Sequence, residues 1–164
     1  MRFFERIIKT DSHAAVLLIR LMVGAVFLSE GMQKFLFSEE VGSGRFRKIG
    51  IPNPDMTAPL VGTFEIICGI LILLGLLTRL AAIPLIIIML AAIFSTKIPI
   101  LLGYEFWGFS LRKVSYYGLW GMAHEARTDW AMLLGSLFLL IVGAGKLSID
   151  AYLTRHRTSN EEND

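Results

Sequence analysis

The sequence predicts an all-α polytopic membrane protein, built as a bundle of four transmembrane helices. Three observations carry that expectation. Of the 164 residues, 54% are Ala, Val, Ile, Leu, Met, Phe, Trp, Tyr or Cys, and only 18% are charged. A soluble chain carries about 45–50% apolar residues and about 25% charged ones. The apolar residues are also gathered into four long runs, which would leave a soluble fold almost no polar surface.

The first run, about 14–37, holds Arg20, Glu30 and Lys34, so it spans a bilayer only if other helices shelter those charges. Arg2, Arg6 and Lys9 precede it as in a secretory leader. No small-x-small cleavage site follows, since the run leads into Ser29-Glu30-Gly31-Met32-Gln33, and it is expected to stay as a helix. The second run, about 59–77, contains a single charge, Glu65. The third, about 80–100, carries no charge between Arg79 and Lys97 and has Pro84 inside it. The fourth, about 129–148, includes polar flanks.

The connections differ in kind. Thr78-Arg79 alone separates the second run from the third, a hairpin that forces antiparallel neighbours. Residues 38–58 contain Gly42, Gly44, Gly50, Pro52 and Pro54 and read as a loop. The long connection between helices three and four is rich in aromatics: Tyr104, Phe106, Trp107, Phe109, Tyr116, Tyr117 and Trp120, with Trp130 just beyond. No repeat or linker divides residues 1–152, which read as one domain, and 153–164 read as a polar mobile tail. Four spans put both termini on one side. That side packs Arg2, Arg6, Lys9, Arg79, Lys146, Arg155 and Arg157 into short segments, so the positive-inside bias favours cytoplasmic termini and outer long loops.

Composition excludes several chemistries. A net charge of +2 is too small for a nucleic-acid footprint. Cys68, the single cysteine, can form neither an internal disulfide, nor a redox pair, nor a thiolate zinc site. His13 and His156 lie in terminal segments opposite His124, so no metal site is expected, and a haem reading rests on His124 alone.

The charges inside the runs locate a candidate site. On a helical projection Arg20, Gly24, Phe27, Glu30, Gly31 and Lys34 share about a third of the first helix. Gly62, Glu65 and Gly69 share a face of the second, where glycines permit close helix approach. Counting rise from the helix starts puts Glu30 about 24 Å up a core of about 30 Å, and Glu65 about 10 Å below the outer surface. Glu30, Lys34 and Glu65 thus lie at one depth. One reading makes Glu30–Lys34 a self-neutralising i,i+4 pair and Glu65 a packing carboxyl. The other gives Glu65 a proton-handling, catalytic role beside an outer cavity. At the opposite end Arg20 and Asp150 are placed to form a structural ion pair. The loop aromatics read either as an interfacial belt or as a flat-ring site. In the second case Trp107, Trp120, His124 and Glu125 join Glu30, Lys34 and Glu65 in binding the ligand.

These residues also carry a family resemblance. Arg20-Leu21-Met22-Val23-Gly24-Ala25-Val26-Phe27-Leu28 with Gly31 and Lys34-Phe35 resembles the first-helix signature of the DoxX family. Glu65-Ile66-Ile67-Cys68-Gly69 through Leu74-Gly75-Leu76-Leu77-Thr78-Arg79 resembles that family's second-helix pattern, and Gly143-Ala144-Gly145-Lys146-Leu147-Ser148-Ile149-Asp150 resembles its close. Glu30 departs from the family pattern, where His or another polar residue is common. The resemblance implies a four-helix bacterial inner-membrane protein, similar to the membrane subunit of a thiosulfate–quinone oxidoreductase. The expected function is a redox-associated subunit that binds a quinone or another lipophilic small molecule, with no covalent cofactor. If catalytic at all, it is the membrane subunit of a quinone-linked oxidoreductase. Its expected partners are the lipid bilayer and a soluble oxidoreductase subunit, and self-association into a homo-oligomer stays open. The alternative is a non-catalytic small-molecule or proton permease, or a scaffold for a stress-response complex.

Overall fold

The computed structural model describes residues 13–161, so Arg2, Arg6 and Lys9 lie outside the described residues. The elements are α1 (Val16–Leu36), α2 (Ser43–Ile49), α3 (Pro54–Leu74), α4 (Thr78–Ala92), α5 (Ile98–Leu102), α6 (Leu119–Glu125), α7 (Arg127–Val142) and α8 (Ile149–Glu161). A π-turn, Ile93–Lys97, joins α4 to α5 into one continuous helix, Thr78–Leu102. Among the described residues there is no strand; Phe106 and Phe109 form a single β-bridge.

The architecture is all-α. Val16–Leu36, Pro54–Leu74 and Thr78–Leu102 are each long and apolar enough to cross a membrane. At 16 residues, α7 rises about 24 Å and falls short of a full hydrocarbon core. α1 packs mainly on α3 and α4 on α7, while α3 meets α4 and α1 meets α7, closing a four-membered ring. The core is drawn from all four: Val16, Val23, Phe27, Cys68, Ile72, Ala81, Leu85, Met132 and Leu139. The outer faces are apolar too, with Leu18, Ile67, Ile70, Ile83, Ile87, Leu90, Leu134 and Ile141 exposed. That inversion of the soluble pattern suits a lipid surround.

α1 and α3 are held unusually close. A Cβ built on Gly31 would lie 2.7 Å from the Gly62 carbonyl oxygen, and one on Gly69 would lie 3.0 Å from the Gly24 carbonyl oxygen. The glycines sit seven residues apart on each helix, so two Gly–Gly contacts, two turns apart, seal the middle of the pair. Because this interface leaves no space for side chains, the charges on the same faces must gather beside it.

Helix ends differ from the sequence reading for local reasons. α3 starts at Pro54 rather than 59, because Pro54 takes the first helical turn, where a missing N–H costs nothing. The turn expected at Thr78-Arg79 lies at Gly75–Leu77, with Gly75 at φ 68 and Leu77 at φ 50. α7 ends at Val142, not 148, since Gly143 and Gly145 take φ 88 and 78. The loop read over 38–58 contains α2, closed by Gly50 in the left-handed region. The tail read as polar and mobile from residue 153 is helical as far as Glu161. Ser148 caps that helix by accepting the Ala151 N–H at 3.1 Å.

The end of the bundle holding those turns is locked by Arg20 and Asp150, though not as the direct ion pair expected. Arg20 is buried and donates to four carbonyls: Ile72 (2.8 Å), Leu73 (2.6 Å), Ala144 (3.2 Å) and Leu147 (2.5 Å). These include the orphan carbonyls at the end of α3. Asp150 accepts instead from the N–H groups of Leu77 (2.9 Å) and Thr78 (3.1 Å), where α4 begins. Backbone groups outbid the opposite charge because helix ends offer several fixed dipoles at once.

Candidate functional site

The polar groups at the other end of the bundle surround a cavity of about 640 Å³, within the usual range for small-molecule sites. α1 and α3 supply one wall with Val26, Phe27, Glu30, Lys34, Val61 and Glu65. The facing wall comes from α4, the π-turn and α7, with Ile88, Met89, Ser95, Lys97, Asp129 and Met132. α2 and the following segment contribute Arg45, Phe46, Ile49 and Pro52, and the long connection contributes Phe109 and Arg112. These last two segments are tied to each other by the Ser110 N–H, which donates to the Ile49 carbonyl at 2.8 Å.

Two buried ion pairs stand on the two walls. Lys34 Nζ lies 2.7 Å from Glu65 Oε2, with side chains only 9% and 3% exposed. Glu30 is more distant at 3.9 Å and half-exposed, so Lys34 turns to the neighbouring helix rather than to its own i,i+4 partner. Apart from that contact, Glu65 Oε2 has no hydrogen-bond partner among the described residues. A buried charge pair is costly unless further polar contacts complete it, and here the remaining capacity faces the cavity.

The second pair, Lys97 Nζ with Asp129 Oδ2 at 3.2 Å, was not foreseen. It depends on the π-turn. Pro99 has no N–H for the Ser95 carbonyl, and the Ile98 N–H bonds the Ile93 carbonyl five residues back. The widened turn buries Lys97 and Ser95 together. The sequence signal was an apolar run continuing past Lys97 to Ile100, which marks that lysine as internal rather than as a boundary charge.

The remaining expected ligand residues divide. Glu125 lines the cavity and is ion-paired with Arg112, which was also missed. His124 borders a separate small recess with Tyr116, 6.2 Å between ring centroids. Trp107 and Trp120 do not line the cavity; they are 80% and 78% exposed. Trp107 sits with Gly108 at the tip of a tight turn, both at positive φ (49 and 83), and its ring meets that of Phe94 edge-on, 5.6 Å between centroids, so Phe94 and not Trp107 faces the cavity. The rings facing the cavity are phenylalanines: Phe27, Phe46, Phe94 and Phe109. Among the described residues no cluster of three His, Cys, Asp or Glu could hold a metal ion.

An all-α membrane protein with an internal, mostly apolar cavity bordered by two ion pairs at one end of its helices is the class this geometry defines. The chain belongs to the DoxX family, whose model matches residues 15–98. It is 49% identical over 156 residues, 95% of this chain and 91% of the relative, to a Mycobacterium tuberculosis protein named an uncharacterized membrane protein. It is 27% identical over 138 residues, 84% of this chain and 85% of the relative, to a Bacillus subtilis protein provisionally named an oxidoreductase, CatD. No solved structure matches the chain.

Proposed function

We propose that the protein is a redox-associated membrane subunit that binds a quinone, or a lipophilic molecule like one, in the cavity between the two helix pairs. The observation that carries this reading is the Lys34–Glu65 pair, buried at 2.7 Å in the wall of an otherwise mostly apolar cavity. Phenylalanine and aliphatic side chains accommodate a flat ring, the ammonium of Lys34 donates to a ring oxygen, and Glu65 handles protons. Quinone reduction needs two electrons for each two protons. With one buried thiol, Cys68, the chain has no dithiol to supply them, so a soluble oxidoreductase partner does. The provisional name of the Bacillus subtilis relative is consistent with that assignment.

In this account residues 1–152 form one membrane domain and α7 completes a fourth span. The termini are cytoplasmic, the membrane is the bacterial inner membrane, and the cavity lies toward the outer leaflet. The exposed Tyr104, Trp107, Tyr116, Tyr117 and Trp120 form an interfacial belt at headgroup level. Photolabelling of the protein in lipid nanodiscs with an azidoquinone tests the site. Adducts should concentrate on cavity residues such as Phe27, Met89 and Met132. Labels spread over lipid-facing residues such as Ile67, Ile83 and Leu134 would contradict it.

A further inference from the structure

We propose that Lys97–Asp129 is a second recognition element of the cavity, so that the ligand is a small, uncharged, flat ring carrying an acceptor oxygen at each of two opposite ends. This rests on the cavity reading above and narrows it. The cavity is lined by Lys34, Arg45, Lys97 and Arg112 and by Glu30, Glu65, Glu125 and Asp129, four charges of each sign. A balanced lining gives no net attraction to an anion or a cation.

The spare donor capacity is on the two ammonium groups. Each carries three N–H donors and no acceptor. Among the described residues, Lys34 has one close partner, Glu65 at 2.7 Å, with the Glu30 carbonyl at 3.4 Å and the Glu30 carboxylate at 3.9 Å, while Lys97 meets only Asp129. Both lysines are more than nine-tenths buried at their side chains, where an unused N–H is expensive. Both line one cavity, from facing helix pairs. Two donors on facing walls of one cavity, which Phe27, Ile88, Met89 and Met132 line as well, match a ring with two carbonyl oxygens, one per lysine. A single-ended ligand would leave one ammonium unsatisfied.

The test compares two probes on the purified protein in nanodiscs. One is 2,3-dimethyl-1,4-naphthoquinone, whose blocked ring positions prevent thiol addition at Cys68. The other is 1-tetralone, a bicyclic ring with one carbonyl. The wild-type chain should bind the dione at least about tenfold more tightly than the monoketone, one charge-assisted hydrogen bond's worth. Lys97→Met with Asp129→Leu, and separately Lys34→Met with Glu65→Leu, should each bring the dione down to the monoketone's affinity. Exchanging the pair (Lys97→Asp with Asp129→Lys) keeps both charges while moving the donor, and should lose the dione equally, should the apolar variant not fold. If the Lys34/Glu65 variant loses the dione but both Lys97/Asp129 variants bind it as the wild type does, the second element is overturned while the cavity reading stands. If the wild type binds neither probe, the cavity reading itself fails and this inference with it.

Discussion

Lys34 of α1 and Glu65 of α3 meet at 2.7 Å beside a glycine-sealed helix interface, and the one contact fixes both the packing of the pair and the chemistry of the cavity wall. Glu65 alone would be a buried, uncompensated charge, and Lys34 alone would keep only the distant, half-exposed Glu30 at 3.9 Å. Both are therefore read as one unit.

Removing half of that unit should cost more than removing all of it. Glu65→Ala strands the Lys34 ammonium and should destabilise the fold by about 3–5 kcal/mol, whereas Lys34→Met with Glu65→Leu should be near neutral. Thermal unfolding of the three proteins in detergent checks the order. Equal losses in the single and double variants would show that the pair is not coupled.

The glycine contacts make a steric prediction. Gly31→Val places a Cβ 2.7 Å from the Gly62 carbonyl oxygen and 2.8 Å from Ile66 Cγ1, so α1 and α3 must part. A loss of about 1–3 kcal/mol or more is expected from overpacking. Gly108→Ala, where a Cβ meets nothing within 4 Å, should cost less and only through its positive φ of 83°. The same unfolding assay compares them.

Arg20 ties the end of α3 to the segment after α7 through four carbonyls. Arg20→Met leaves these acceptors buried without a donor, at about 1–3 kcal/mol each for those that find no water. Arg20→Lys should rescue only part of the loss, because an ammonium lacks the planar fork that reaches both helix ends. Full rescue by lysine, read from folded yield and melting temperature, would contradict the account.

Membrane crossing by α7 has its own test. Cys68 is buried, so cysteines introduced for Lys113 and Lys146, both exposed, can be labelled with an impermeant maleimide. Four spans put the two positions on opposite faces, with Lys113→Cys labelled from outside and Lys146→Cys only after permeabilisation. Labelling of both from one face would mean that α7 does not cross.

Sequence alone located much of this arrangement, and the exceptions have physical causes. Glu30, Lys34 and Glu65 were legible because a charge inside an apolar run must point inward and depth follows from helical rise. Arg20 was legible as inward-facing and Asp150 as lying at the same end, but their partners were not, since backbone carbonyls and N–H groups carry no residue signature. Lys97–Asp129 was missed because a π-turn shifts register within a run that periodicity treats as regular α-helix. Trp107 and Trp120 were assigned by residue type. Whether a loop aromatic turns inward depends on turn geometry such as the paired positive φ at Trp107 and Gly108, which composition does not encode.

The central claim is that the cavity takes its ligand through Glu65 and Lys34. Equilibrium binding of a short-chain quinone to the wild-type protein and to Glu65→Gln in nanodiscs tests it most directly. Glutamine keeps the volume but releases Lys34 from its ion pair, so affinity should change by about tenfold or more. Saturable binding to the wild type with that change supports the account. No binding, or binding indifferent to Glu65, contradicts it.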